Sequence, residues 1–280
     1  MAAMKSILDP TRSALVVQRR HRNTFVSFLA QVVNRAGADS DTEAEGGLSV
    51  SELLGRANRN LNPIQDGFQL RGDIAVPNHR NADPCTQTGC MWPKACDGNV
   101  YIPYLIDSVY NTLQVSIITS GLNSFSNSTC IRFIPYTNQT DYVYIHPLEG
   151  CYSFVGRTGG EQSVSLSFLG CVDFGVTQHE LLHVLGFDHE HCRSDRDQHV
   201  QILLQNVISG EESNFYKINT LNLGTPYDYN SVMHYNRLAF SKDFVNPTIV
   251  AIPNPNTVFG TATQMSQNDI NRINLLYCSK

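Results

Sequence analysis

The tightest constraint in this chain is the run from His179 to His191, which reads H-E-L-L-H-V-L-G-F-D-H-E-H. His179 and His183 are four residues apart, and on a helix that spacing puts both imidazoles on one face, one turn apart. Two neutral imidazoles so placed can grip one Zn²⁺ ion at about 2.0–2.1 Å each. Glu180 then stands beside the metal without binding it, placed to take a proton from zinc-bound water. Gly186 can adopt a positive φ, which ends the helix and turns the chain back. The turn delivers His189 as a third ligand and leaves the fourth position open, as a catalytic zinc site requires. Thr177-x-x-Glu180 also fits a helix capping box, a purely structural reading. That reading accounts for Glu180 but not for three spaced histidines.

A second piece lies downstream, where Ser231-Val232-Met233-His234-Tyr235 follows the turn-rich run Thr225-Pro226-Tyr227-Asp228-Tyr229-Asn230. Taken alone it is an ordinary apolar and aromatic core segment. Beside the long zinc signature it resembles the Met-turn of the metzincins. With the extended form H-E-L-L-H-V-L-G-F-D-H-E-H-C-R-S-D-R-D, the chain resembles the astacin family of zinc endopeptidases from about Leu70 onward. The resemblance implies an α+β, zincin-like fold. Its upper subdomain would carry a mixed five-stranded sheet and two helices, and its irregular lower subdomain a C-terminal helix. One Zn²⁺ per subunit is implied, with Met233 as a hydrophobic floor beneath it. Tyr235 is implied as an extra ligand at rest, which swings away and stabilises the oxyanion when substrate binds.

Composition narrows the alternatives. The net charge is -5 and no basic cluster is long enough to suggest nucleic-acid binding. No apolar run approaches the ~20 residues of a membrane-spanning helix. The 8 cysteines include one close pair, Cys85 and Cys90, with no second pair to complete a zinc ribbon. Dispersed cysteines beside a hydrolase site point to disulfides and a secreted protein. Within residues 1–38, a basic Arg19-Arg20-His21-Arg22 precedes an apolar stretch from Thr24 to Val33 and the small residues Ala36-Gly37-Ala38. This is an imperfect signal peptide, because the basic part starts late and Gln31 interrupts the core; the alternative is an untrimmed N-terminus.

Residues 39–80 read as a propeptide. Phe68-Gln69-Leu70-Arg71-Gly72-Asp73-Ile74 resembles the F-x-G-D-I of astacin-like zymogens, with Leu70 where the Phe is expected. By that resemblance Asp73 is a switch whose carboxylate fills the open zinc position and displaces the reactive water. The structural alternative for Gly72-Asp73 is a turn. Similarity to fish hatching enzymes, whose mature chains begin Asn-Ala, places the activation cut between Arg80 and Asn81. Residues 81–280 would then be the peptidase domain, and the end at Lys280 predicts none of the accessory domains of larger relatives. The close pair Cys85–Cys90 resembles the six-cysteine astacins of fishes. The family pattern pairs Cys130 with Cys278 and Cys151 with Cys171. Cys192 departs from that pattern; it and Cys96 either pair with each other or leave a free thiol. Glu190 in this family helps seat the mature N-terminus, a role left open here by a longer N-terminal segment. Arg193, Asp195, Arg196 and Asp197 form either a structural charge network or a solvated face.

The remaining pattern predicts elements. Val100–Leu105 reads as a strand, at an edge because of Pro103. Asp107 is expected to cap a helix with apolar positions at Val109, Leu113, Ile117, Ile118, Leu122 and Phe125. Strands are expected at Cys130–Pro135, Tyr142–His146 and Val164–Phe168, and a last helix after Ser266. Asn127 and Asn138 open glycosylation sequons. By resemblance, Cys151-Tyr152-Ser153-Phe154 is an edge strand on which an extended peptide substrate pairs antiparallel. The expected activity is hydrolysis of peptide bonds in extracellular or egg-envelope proteins by a monomer. The alternatives are a catalytically silent protein of the same fold, from which a ligand or the base should be missing, and a zinc hydrolase of non-peptide substrates. No ligand or base is missing from the motif.

Overall fold

The computed structural model describes residues 47–62, 64, 65, 67–77 and 90–279. The expectations for residues 1–38, for the Arg80–Asn81 cut and for the Cys85–Cys90 pairing fall outside the described residues.

An eight-stranded sheet organises this region. Its strands are β1 (Ile64–Gln65), β2 (Phe68–Arg71), β3 (Ile74–Pro77), β4 (Val100–Ile106), β5 (Ile131–Pro135), β6 (Tyr142–His146), β7 (Cys151–Phe154) and β8 (Glu161–Leu166). In space they run β1-β2-β3-β7-β8-β6-β4-β5. The expected five-stranded mixed sheet is the part from β7 to β5, parallel except for the β7–β8 pair. The segment read as a propeptide adds the other three strands. β7 is therefore not an edge in this form of the chain: β3 pairs with it in parallel, Ile74 opposite Ser153 and Ala75 opposite Phe154.

Pro103 corrects a second expectation, because β4 lies between β5 and β6. The pairing with β6 begins only at Tyr104, one residue past the proline. At Pro103 itself the register provides a partner on one side, Ile134 of β5, so the missing N–H interrupts no second ladder.

Four α-helices are present among the described residues. α1 (Val50–Ala57) is capped by Ser49, whose hydroxyl and Glu52 form a capping box. α2 (Thr112–Ser124) is capped by Asn111 with Gln114 rather than by Asp107. Asp107 is engaged elsewhere, accepting from the Tyr144 hydroxyl at 2.5 Å and from its own loop at Val109 N. The apolar stripe of α2 is also narrower than its sequence suggests. Ile118, Leu122 and Phe125 are buried, while Val109 and Leu113 face solvent. α3 (Phe174–Val184) starts at Asp173, which accepts from Gly175 N and Val176 N, and it is buried from Gly175 to Val184. Thr177 lies inside this helix and donates to Asp173 O, so the capping-box reading of Thr177 fails. α4 (Gln267–Ile273) has the expected Ser266 cap, completed by Asp269.

One apolar cluster joins α2 (Ile118, Leu122), α3 (Val176, Leu181, Leu182) and the sheet (Val143, Ile145, Val164, Leu166). A second, richer in aromatic residues, gathers Val200, Phe215, Tyr227, Tyr235, Ile249 and Phe259 around the two-stranded ribbon of β9 (Val200–Ile202) and β10 (Ile249–Ala251). Disulfides join Cys130 to Cys278 and Cys151 to Cys171, across 148 and 20 residues. Loops of those sizes correspond to about 3–5 kcal/mol each on the chain-entropy account. Cys96 and Cys192 do not pair. Both are free, Cys96 exposed and Cys192 buried with its thiol 3.3 Å from the Asn214 carbonyl. Among the described residues no helix is long and apolar enough to cross a membrane.

Candidate metal centre

The three spaced histidines converge. His179 and His183 lie on consecutive turns of α3, which ends as expected at Gly186, whose φ is 95°. The turn is closed by Gly186 N to His183 O at 2.7 Å and Phe187 N to Leu182 O at 3.0 Å. Trp92 Nε1 caps the Val184 carbonyl and Tyr277 OH the Leu185 carbonyl, so the end of α3 is tied to distant parts of the chain. Just beyond, His189 swings back beside the other two rings. The ligating atoms of Asp73, His179, His183 and His189 all lie within 4.8 Å of one another, and all four residues are buried.

Second contacts fix the rings. His179 Nδ1 is 2.8 Å from Val232 O, and His183 Nδ1 is 2.7 Å from Phe187 O. A carbonyl can only accept, so both Nδ1 atoms carry a proton, and in the neutral rings both Nε2 atoms keep a lone pair. The Asp73 carboxylate faces these lone pairs, at 2.8 Å from His179 Nε2, 2.8 Å from His189 Nε2 and 3.9 Å from His183 Nε2. Lone pair against carboxylate is repulsive unless positive charge, either a proton on the ring or a metal ion, lies between them. His183 Nε2, His189 Nε2 and Glu180 Oε1 are also buried without a hydrogen-bond partner. A divalent ion satisfies the three ring nitrogens and the Asp73 carboxylate at once, and three imidazoles with a carboxylate suit zinc.

Glu180 follows the first ligand and points its carboxylate into the same space. Its Oε2 accepts from Ser153 Oγ of β7 at 2.8 Å. Burial, then the Asp73 charge, pushes this carboxyl well above the usual carboxylate range, while Ser153 opposes them. Burial also pushes the His183 imidazole down to about 4, favouring the neutral form a ligand needs. For Asp73, burial alone would raise the carboxyl, but the His189 and His179 rings outweigh it and hold it well below the usual range.

Met233 is buried, and its carbonyl accepts from Glu190 N at 3.0 Å. Tyr235 donates to Asp73 Oδ1 at 2.9 Å, and its ring lies 4.4 Å from that of His189. Sequence reading missed the group that holds this turn in place. Asp269, in the first turn of α4, accepts from Ser231 Oγ at 2.6 Å and Val232 N at 3.0 Å, and it also closes the Ser266 capping box. Its only sequence signal is the S-x-x-D spacing of that cap.

The β2–β3 hairpin fills the site. Asp73 sits at the tip of the β2–β3 hairpin, where Gly72 has φ 63° and a Cβ would overlap the Tyr235 hydroxyl. Asp73 O accepts from Ser153 N at 3.0 Å, so main chain and side chain of the same residue bind β7 and the histidines. Asn58 brackets Cys151 with two hydrogen bonds of 2.8 Å, and Ser51 Oγ accepts from Asn236 N. Arg71 reaches Asp188 Oδ2 at 2.5 Å. The parallel β3–β7 pairing has the opposite polarity to the antiparallel pairing expected of substrate.

Glu190 is saturated by its surroundings. It accepts from Arg272 at 2.5 and 2.8 Å, from Asp228 N at 2.7 Å and from Arg193 at 3.3 Å. Arg193 also clasps Asp195 beside the buried Glu190–Arg272 pair, and Arg196 pairs with Asp197, so both arginines are held in the structure while Asp197, 58% exposed, meets solvent. Asn127 and Asn138 are both exposed.

The family model described as Astacin, a family of peptidases, matches residues 89–278. High choriolytic enzyme 1 of Oryzias latipes is 47% identical over 212 residues, covering 76% of this chain and 78% of its own. Low choriolytic enzyme of the same species is 42% identical over 263 residues, covering 89% and 95%. The solved structure of high choriolytic enzyme 1, a hatching enzyme zinc-protease, matches with a TM-score of 0.68 at 46% identity, covering 71% of this chain and 100% of that one. An astacin-like metalloendopeptidase of Gallus gallus is 38% identical over 279 residues, covering 98% and 68%. With the three histidines gathered as that family requires, this chain belongs to the astacin family of metalloendopeptidases.

Proposed function

We propose that this astacin-family endopeptidase is secreted as a monomeric zymogen, holds one zinc ion between His179, His183 and His189, and is kept latent by Asp73. The observation that carries the reading is the convergence of three imidazoles, two of them fixed through Nδ1 by main-chain carbonyls, on a buried carboxylate with Glu180 alongside. When bound, the ion supplies Lewis acidity that polarises the scissile carbonyl and acidifies water. Glu180 takes a proton through its unpartnered Oε1 and passes it to the leaving amine, while Ser153 holds the other oxygen. The Tyr235 hydroxyl, freed when Asp73 leaves, donates to the developing oxyanion. Strand β7, once β3 is gone, offers its main chain to an extended substrate running antiparallel.

Activation is a cut between Arg80 and Asn81 that releases residues 39–80. Asn127 and Asn138 carry glycans in the secreted protein. The choriolytic names of the relatives point to egg-envelope proteins as the substrate class. The test is bound zinc and cleavage of a fluorogenic peptide, with and without a chelator, before and after trimming at Arg80. Trimming should raise activity and chelation should abolish it. Glu180→Gln should keep zinc yet lose cleavage; near-normal turnover in the zinc-loaded variant would remove Glu180 as the base.

A further inference from the structure

Asp188 immediately precedes the third histidine and carries no role in the chemistry above. One of its oxygens accepts from His189 N at 2.7 Å, which fixes the direction of the carboxylate. The other meets the Arg71 guanidinium at 2.5 Å. Both side chains are largely out of water, with 11% and 23% of their surface exposed. Arg71 stands on β2, on the far side of β3 from β7, so Asp188 lies beside the groove that the β2–β3 hairpin fills. Arg71 is also only two residues from Asp73. A cationic side chain thus enters the groove beside the metal centre and ends on a pre-oriented, mostly buried anion.

We infer that Asp188 is a specificity-determining residue, forming a subsite for an arginine or lysine side chain of the substrate close to the scissile bond. This rests on the endopeptidase reading above. Release of residues 39–80 takes Arg71 away and leaves a carboxylate with one oxygen bonded to its own main chain and the other unpaired. An oriented anion in that state favours a cation, and the substrate chain occupies the same groove. Guanidinium, with its fork of donors, matches the freed oxygen as Arg71 does. The pro-segment, on this account, covers a substrate pocket as well as the metal centre.

The experiment uses the chain trimmed at Arg80 and a peptide library in which each position near the cut is Arg, Lys, Gln or Glu. Wild type should favour Arg or Lys at one position. Asp188→Asn, which keeps an oxygen for His189 N, should lower the basic-to-neutral ratio of kcat/KM by about tenfold or more, as expected for loss of a charge-assisted hydrogen bond. The same ratio should appear in Kd when labelled peptides are titrated onto zinc-loaded Glu180→Gln with and without Asp188→Asn. Cleavage without regard to charge, or a ratio that Asp188→Asn leaves unchanged, overturns the inference alone. Loss of zinc in Asp188→Asn would overturn it too, by making Asp188 a support for His189. A trimmed wild type that cleaves no peptide would overturn the endopeptidase reading and the inference with it.

Discussion

Replacing Asp269 with alanine should loosen the metal centre from a helix that does not touch it. The carboxylate accepts from Ser231 Oγ, Val232 N and Ser266 N. The first two donors are buried, and each left unpaired costs about 1–3 kcal/mol. Ser266 N is partly exposed and can turn to water, so it contributes less. The sum for Asp269→Ala is about 3–5 kcal/mol, beyond the roughly 1 kcal/mol typical of losing a cap. The effect should also reach the metal, because Val232 O is the acceptor that orients His179. Loss of such a supporting contact lowers metal affinity by about 10–100-fold. Asp269→Asn tests the bonding directly. Its amide oxygen can serve Val232 N and Ser266 N while its NH₂ donates to Ser231 Oγ, so it should cost only about 1 kcal/mol. The assays are urea denaturation of the metal-free chain and zinc affinity by chelator competition, both in a Glu180→Gln background to prevent autolysis. Equal losses in the Ala and Asn variants, or an Ala variant with unchanged zinc affinity, would refute the view that α4 holds the turn under His179.

Three further predictions rest on other contacts. Asp73→Ala should give the untrimmed chain measurable peptidase activity, at least about tenfold above wild type, read with a fluorogenic peptide and checked by gel for absence of cutting. Glu190→Gln should cost about 3–5 kcal/mol in urea denaturation, because Arg272 remains buried without the anion it grips, while Arg193 keeps Asp195. The Arg193 guanidinium hydrogen-bonds Asp195 and holds its carboxyl below the usual range. That stability is present above the ordinary carboxylate pKa and is lost as pH falls through the depressed value, so Asp195→Asn should flatten the acid limb of a stability-versus-pH curve.

What could be read in advance was what short spacing dictates. H-E-L-L-H specifies its own helix face, and Gly186 its own turn, so the meeting of His179, His183 and His189 was visible without a fold. β6 has the expected bounds, Tyr142–His146, because its alternation is local. Failures came where a distant partner decided the outcome. Asp107 lost the capping role to Asn111 because Tyr144, on another strand, takes its carboxylate. Pro103 suggested an edge because no sequence pattern says where β6 stops pairing with β4. Ser153 is expected from sequence only as part of a strand that pairs with substrate, and its side-chain bond to Glu180 exists only because β7 lies against α3. Asp188 lay inside the signature itself, but its partner is Arg71, 117 residues away.

The eight-stranded sheet has a consequence for the life of the molecule. While β1–β3 are attached, the border of β7 that would later grip a foreign chain is covered by the protein's own backbone. A cut near residue 80, followed by departure of the hairpin, would expose a fresh, sticky border on β7 at the moment cleavage becomes possible. Such borders invite aggregation between copies. The covering strands would therefore protect the molecule from its neighbours until that cut, as well as protecting those neighbours from it.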